Sequence, residues 1–345
     1  MNNRTILNVA FPFAKVTEKT AGGAEQILQE LDKAIISSGN CSVVLAQKGS
    51  SVEGELIECD CEYGVIDEIY KAETHKKYRS IISGIIRERK IDLIHFHGLD
   101  FVEYFPSGQF SSLVTLHLPV DWYKGKCFSI RGIHFNCVSR FQFNSWEKRI
   151  SGRASVIENG VNIPEKISCR KSGAYTLSMG RICPEKGFHL AIEASKRAQK
   201  PFVLAGKVYP YEGHIRYFQK KILPAINSNE CLFVGEAGTE EKEWFLNHAY
   251  CLLVPSQVEE TSSLVAMEAM ANGVPVIAFK AGALNEIIKH GENGYLVNDE
   301  KEMAEAILEI EKIDPERCYS IAKENYSVTR MTSQYLQLYE KIIEG

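Results

Sequence analysis

Residues 251–278 restrict the possible folds more than any other part of the chain. An apolar run from Cys251 to Val254 is closed by Pro255, and a polar loop follows. Leu264, Met267 and Ala271 then recur at helical spacing, until Gly273 and Pro275 end the helix and Val276 to Ala278 opens a second apolar run. The order is strand, loop, helix, strand. A helix starting near Ser262 would turn its unpaired N–H groups and the positive end of its dipole toward the loop, a suitable seat for phosphate. Glu260 stands just before that start and Glu268 about two turns on. Their carboxylates would reach opposite ends of one ligand rather than each other.

The same alternation runs through the rest of the chain. In the second half, strands are expected at Tyr175 to Met179, Phe202 to Ala205, Leu232 to Val234, Cys251 to Val254 and Val276 to Ala278, with helices between them. In the first half, strands are expected at Thr5 to Phe11, Ser42 to Ala46, Ile91 to Gly98, Val114 to His117, Phe135 to Ser139 and Ser155 to Ile157. A chain of 345 residues suits two domains of ordinary size. The expected division is an N-terminal domain over 1–164, a second over 165–325 that opens on an exposed charged linker, Glu165 to Lys171, and a C-terminal amphipathic helix in 326–345.

Forty basic against 44 acidic residues, a net charge of -4, carry no polyanion signal, so no nucleic-acid partner is expected. Ten cysteines without a paired framework suit reduced thiols and a cytoplasmic location; Cys59-Asp60-Cys61 is too short a pattern to imply metal. The apolar start through Phe13 reads as a first strand rather than a signal peptide, and no run reaches membrane-spanning length. Ile66 to Lys90 reads as helix, with Ile81, Ile82, Ile85 and Ile86 inward and Lys76, Lys77, Arg79, Arg87, Arg89 and Lys90 outward. A solvated basic face is the ordinary explanation, and peripheral contact with the inner face of a membrane is the sharper one.

Three further segments are candidates for chemistry. Gly22-Gly23 opens a helix carrying Ile27, Leu28, Leu31 and Ile35, where a ligand's backbone contact needs no side chain in the way. These glycines come about a dozen residues after the first strand rather than in its tight turn, and the strand Ser42 to Ala46 ends at Gln47 without an acid, which disfavours a dinucleotide-binding oxidoreductase. His95 and His97 alternate onto one side of their strand and His117 ends the next; a zinc cluster of the three lacks a fitting carboxylate or cysteine. Finally, Gly180-Arg181-Ile182-Cys183-Pro184-Glu185-Lys186-Gly187 sets two cations between a strand and a helix.

Glu260-x7-Glu268, the Pro255-Ser256 before it and the Glu-Ala-Met-Ala-x-Gly-x-Pro-Val-Ile-Ala after it resemble the retaining glycosyltransferases of the GT-B fold, family 4. So do Gly22-Gly23-x-Glu25, the His95-x-His97 and Val114-x-x-His117 strands, Asn159-Gly160-Val161, and the Arg181 and Lys186 segment. The resemblance implies an α/β protein of two doubly wound Rossmann-like domains whose parallel sheets face across an interdomain cleft, acceptor on the first and donor on the second, the last helix packing back on the first. It places a ribose on Glu268, sugar hydroxyls on Glu260, and a diphosphate on Arg181, Lys186 and the backbone of Ser262, Ser263 and Leu264. Gly22, Gly23 and Thr261 would border the same donor, Gly206 and Val234 would line the nucleotide, and His117 would lie beside sugar and acceptor. His95 and His97 fit a site role or a structural one. Where many members have Gly-Phe-Gly after the first glutamate, this chain has Thr261-Ser262-Ser263, and Glu259 is a rival first glutamate at a spacing one residue too long.

The implied reaction is sugar transfer from a nucleoside-diphosphate sugar, UDP before GDP, to a hydroxyl acceptor of unidentified class, with retention at the anomeric carbon. No cofactor and no metal on the diphosphate are expected, since Arg181, Lys186 and two helix ends can hold the charge. His117, Arg181, Lys186 and Glu260 would form the catalytic set. The rivals are a sugar-nucleotide 2-epimerase of the same fold and a non-catalytic nucleotide-sugar-binding protein.

Overall fold

The computed structural model describes residues 3–17, 22–61, 66–150, 152–167, 173–226 and 230–345. Residues 168–171 of the expected linker and part of the loop before Gly22 lie outside these. The chain divides into two α/β units, one of Met1–Glu158 with Met331–Gly345 and one of Asn159–Arg330. The division falls ahead of residue 164 because Asn159 to Pro164 is tied to the end of the second unit. Val161 N–H donates to Tyr326 O at 2.8 Å, and Tyr319 Oη donates to Pro164 O at 2.8 Å.

In the first unit the order is β1 (Thr5–Val9), α1 (Gly23–Ser37), β2 (Cys41–Gln47), β3 (Glu55–Cys59), α2 (Glu68–Glu88), β4 (Leu93–Phe96), β5 (Ser112–Leu116), β6 (Ile133–Cys137), α3 (Arg140–Ile150) and β7 (Ala154–Val156). All pairings are parallel, in the order β3-β2-β1-β4-β5-β6-β7. The inner strands bury both faces, and near-continuous apolar runs such as Val43 to Ala46 satisfy that demand. β3 escaped the sequence reading because its glutamates Glu55 and Glu58 break the apolar pattern, as an edge strand permits. α2 is capped by Asp67, which accepts from Tyr70 N–H, and turns Tyr78, Ile82 and Ile85 inward. Lys76, Lys77, Arg79, Arg87 and Lys90 are exposed, whereas Arg89 folds onto Glu55.

The second unit runs β8 (Tyr175–Arg181), α4 (Phe188–Arg197), β9 (Phe202–Lys207), α5 (Glu212–Tyr217), α6 (Leu223–Ile226), β10 (Cys231–Gly235), α7 (Thr239–His248), β11 (Ala249–Val254), α8 (Leu264–Ala271), β12 (Val276–Phe279), α9 (Leu284–Ile287), β13 (Gly294–Val297), α10 (Glu300–Glu309) and α11 (Pro315–Asn325). Its parallel sheet is ordered β10-β9-β8-β11-β12-β13. In each unit the winding reverses once, between β1 and β4 and between β8 and β11. Ligands of open α/β sheets bind outside the strands' carboxyl ends at such a reversal, and the loops after β8 and β11 lie there.

α12 (Val328–Glu344) begins in the second unit and ends in the first. Its face Met331, Tyr335, Leu338 and Tyr339 is buried. The two tyrosines find partners on the first sheet: Tyr335 Oη accepts from Asn136 Nδ2 at 2.8 Å and meets Thr115 Oγ1 at 3.1 Å, and Tyr339 Oη meets His95 Nδ1 at 2.9 Å. No helix of the described residues is long and apolar enough to cross a membrane.

Candidate functional site

In the second unit two loops are locked together before any ligand is considered. Gly187 ends the loop after β8 at φ +63°, and a Cβ there would stand 2.2 Å from Pro255 O in the loop after β11. Glycine alone permits that approach. Gln257 N–H donates to Glu185 O at 2.7 Å across the same seam. On the far side, Ala283 N–H donates to Glu260 O at 2.8 Å, and Gly282, at φ +57°, would bring a Cβ within 2.4 Å of the same oxygen. The backbone of Glu260 is therefore fixed from both directions.

Its side chain is fixed as well. Glu260 is 8% exposed, and its Oε1 accepts from Lys186 Nζ at 2.5 Å and from Ser256 Oγ. Both bonds fall on one oxygen, so Oε2 takes none from a described residue. Lys186 carries three donors and can hold a second anion while keeping Glu260. Arg181, half-buried at the end of β8, forms no ion pair with a described residue.

α8 begins at Leu264, two residues later than the sequence suggests, because Ser263 at φ -142° and ψ 89° lies outside the helical region. The Ser263 hydroxyl does not cap the helix, and Ser262 Oγ and Ser263 Oγ are both buried without a partner among the described residues. Buried hydroxyls are ordinarily paired. Here two of them, with the unpaired N–H groups of the first turn, line the amino end of an eight-residue helix. Further along α8, Glu268 Oε1 accepts from Lys242 Nζ of α7 at 2.6 Å.

Glu260, Lys186, Ser262, Ser263, Leu264 and Glu268 thus belong to one neighbourhood of two loops and a helix, with Thr261 buried among them. Gly206 has a different constraint: it pairs with Gly180 in the sheet, and a Cβ on it would lie 2.0 Å from Gly180 O, so strand packing already demands glycine. Val234 is half-buried on the edge strand β10. Ser256 and Lys242 are additions to the sequence reading. Ser256 had a signal in the Pro-Ser pair before the loop; Lys242 had none, since its partner comes 26 residues later.

In the first unit Gly22 precedes α1, and the Glu25 carboxylate occupies the place a Cβ on Gly22 would take, 1.8 Å from Oε2. That contact is with the end of a flexible side chain, so it places Glu25 against Gly22 without by itself demanding glycine there. The three histidines form a stack at the ends of β4 and β5. His97 Nδ1 meets His117 Nε2 at 3.2 Å, and the His95 and His97 rings lie 4.0 Å apart. His95 commits both nitrogens, to Tyr339 Oη and to Thr115 Oγ1 at 2.8 Å, so it is a structural link to α12 rather than a metal ligand. Burial holds His95 and His97 well below the ordinary imidazole range and lowers His117 to about 3. All three are neutral at physiological pH. Cys59 Sγ and Cys61 Sγ stand 3.2 Å apart, both buried.

The profile of the family described as glycosyl transferases group 1 matches residues 162–327. Lipopolysaccharide 1,2-N-acetylglucosaminetransferase of Salmonella typhimurium is 31% identical over 177 residues, 46% of each chain. An uncharacterized glycosyltransferase of Methanocaldococcus jannaschii is 31% identical over 250 residues, 66% of this chain and 67% of its own. The match spans about half the length of the first relative and two thirds of the second. Among solved structures, sucrose-phosphate synthase from Thermosynechococcus elongatus superimposes with a TM-score of 0.81 at 20% identity, covering 99% of this chain and 100% of its own. Anabaena HepE in complex with UDP-glucose gives 0.74 at 16%, covering 98% and 99%. At such identities the likeness is one of fold, two Rossmann-like domains of the GT-B type. The 31% identity over two thirds of the archaeal relative goes further than fold, and with the matched profile over the second unit it makes this chain a member of the glycosyl transferases group 1 family.

Proposed function

We propose that the protein transfers a sugar from a nucleoside-diphosphate sugar to a hydroxyl acceptor, with retention at the anomeric carbon and without a metal on the diphosphate. The donor belongs to the second unit and the acceptor to the first. The observation that carries this reading is the pairing of Lys186 with Glu260 at 2.5 Å beside the two unpartnered hydroxyls at the amino end of α8. It combines a cation and helix N–H groups for a diphosphate with a carboxylate oxygen, Glu260 Oε2, for sugar hydroxyls. Breaking the sugar–phosphate bond leaves negative charge on the diphosphate. Lys186, Arg181 and the first turn of α8 stabilise that charge more in the transition state than in the ground state. The leaving phosphate oxygen takes the acceptor's proton on the same face, so no protein nucleophile is needed. Glu268 receives the ribose, and His117, neutral, offers a hydrogen bond without a charge.

UDP is the favoured nucleotide, supported by the UDP-glucose held by HepE. The N-acetylglucosaminetransferase relative favours a glycan-type acceptor. The exposed cations of α2 fit a peripheral contact with an anionic membrane at its cytoplasmic side.

The test is a melting series of the whole chain in chelator against UDP, GDP, ADP and NAD, followed by transfer assays with the sugars of the nucleotide that binds. Saturation at a hundred times Kd stabilises by about 2.7 kcal/mol, a readable shift. A shift with one nucleoside diphosphate, followed by a product of retained configuration, is expected. A shift with NAD alone, or an epimerised donor formed without acceptor, overturns the assignment.

A further inference from the structure

Beside the cationic loop lies a second group of side chains that the transfer reaction does not use. Cys183 and Glu185 stand on the turn between β8 and α4, and His214 on the short helix α5. One ligand atom from each, the Cys183 sulfur, a Glu185 oxygen and a ring nitrogen of His214, all lie within 4.8 Å of one another. It is the one such group of three among the described residues. Cys183 is buried, and Glu185 and His214 are half-buried.

Two observations set this cluster apart from an accidental one. Glu185 Oε2 and His214 Nδ1 are both buried without a hydrogen-bond partner among the described residues. Unpartnered buried polar atoms are uncommon and ask for a missing partner. The donor set, one thiol, one imidazole and one carboxylate, is also that of borderline-soft transition metals rather than of calcium or magnesium, which take oxygen. We propose that Cys183, Glu185 and His214 form a binding site for a zinc-class divalent cation, with a fourth position open to water.

The geometry is within reach. Tetrahedral zinc with such ligands sets neighbouring ligand atoms about 3.5 Å apart, and the three atoms already lie within 4.8 Å of one another. Glu185 and His214 are half-buried side chains whose rotamers can close the remainder, α5 itself being the start of a continuous helical run through Ile226. On binding, Cys183 gives up its thiol proton to solvent and forms the sulfur–metal bond; no electrons are exchanged. The ion would tie α5 to the loop that carries Lys186. This inference does not rest on the glycosyltransferase reading, and it assigns the ion no part in holding the diphosphate.

The experiment uses the whole chain, stripped by chelator and titrated with Co2+ and with Zn2+. The expected result is one ion retained per chain at micromolar free metal, a near-ultraviolet thiolate-to-cobalt absorption band, and a raised melting temperature. Cys183→Ser should abolish the band, and His214→Gln, at a half-buried position that tolerates an amide, should weaken binding by more than about tenfold. Cys59→Ser/Cys61→Ser should leave both unchanged. No retained ion, or an ion that survives Cys183→Ser and His214→Gln undiminished, or one lost with Cys59 and Cys61 instead, would overturn the proposal.

Discussion

Replacing Lys186 by methionine removes the ammonium 2.5 Å from Glu260 Oε1 and keeps most of the side chain's volume. The carboxylate is then held by Ser256 alone. The Lys186 and Glu260 side chains are 23% and 10% exposed, which places the pair between two measured regimes. Exposed pairs contribute about 0.2–1 kcal/mol, and orphaning one partner of a fully buried pair costs about 3–5. An intermediate cost of about 2–3 kcal/mol is expected for the single variant at neutral pH. For a unit the size of residues 159–330, each kcal/mol moves Tm by about 2–4 °C, giving a fall of roughly 4–12 °C. Lys186→Met/Glu260→Gln removes both charges and leaves an amide that Ser256 can still bond, so it should return to within about 1 kcal/mol of the parent. The assay is thermal and urea unfolding of the parent, both single variants and the double variant, read as a cycle. A single variant as stable as the parent, or a double variant less stable than the sum of the singles, would show that the pair does not hold the loop. Transfer should fall by about 100- to 1000-fold in Lys186→Met and in the double variant, the two that lose the ammonium, if Lys186 stabilises the departing diphosphate.

Glu268→Ala should weaken UDP binding by about 10- to 100-fold, the loss of one charge-assisted hydrogen bond, while stability changes by no more than about 1 kcal/mol because Lys242 can turn to water; calorimetry returning the parental Kd would remove Glu268 from the site. Gly187→Ala should cost more than about 2 kcal/mol, since a left-handed backbone and a Cβ 2.2 Å from Pro255 O act together, and an unchanged Tm would refute the seam between the two loops. His95, His97 and His117 are depressed in the folded state, so their contribution is complete above about pH 6.5 and is lost as pH falls below it, by roughly 1.4 kcal/mol per pH unit for each histidine that stays neutral. Unfolding followed from pH 7 to pH 5 should show that slope, and His117→Asn should flatten it; equal slopes in the two proteins would contradict the burial argument. Tyr335→Phe leaves Asn136 and Thr115 short of a buried partner and should cost about 1–3 kcal/mol, measured by urea unfolding, with no change expected in nucleotide binding.

Local pattern determined a large part of this protein. The apolar runs, the helical spacing after Pro255 and Gly22, and the charged turn from Gly180 to Gly187 are short-range signals, each readable within one strand or one helical turn, and they were enough to place the parallel α/β architecture and most of the cationic and acidic candidates. Edge strand β3 is not legible because an edge tolerates the glutamates that hide its period, and α8 starts later than the spacing suggests because Ser263 lies outside the helical region. What tertiary structure alone decided is which polar groups meet. Lys186 reaches Glu260 over 74 residues, Lys242 reaches Glu268 over 26, and Asn136 reaches Tyr335 over 199. It also ties His95, open in sequence between a site role and a structural one, to Tyr339 of α12, and it gathered Cys183, Glu185 and His214. Such pairings leave no periodic trace, because the chain between the partners can be any sequence that folds, and only the packed sheet fixes the distance across which a charge finds its counterpart.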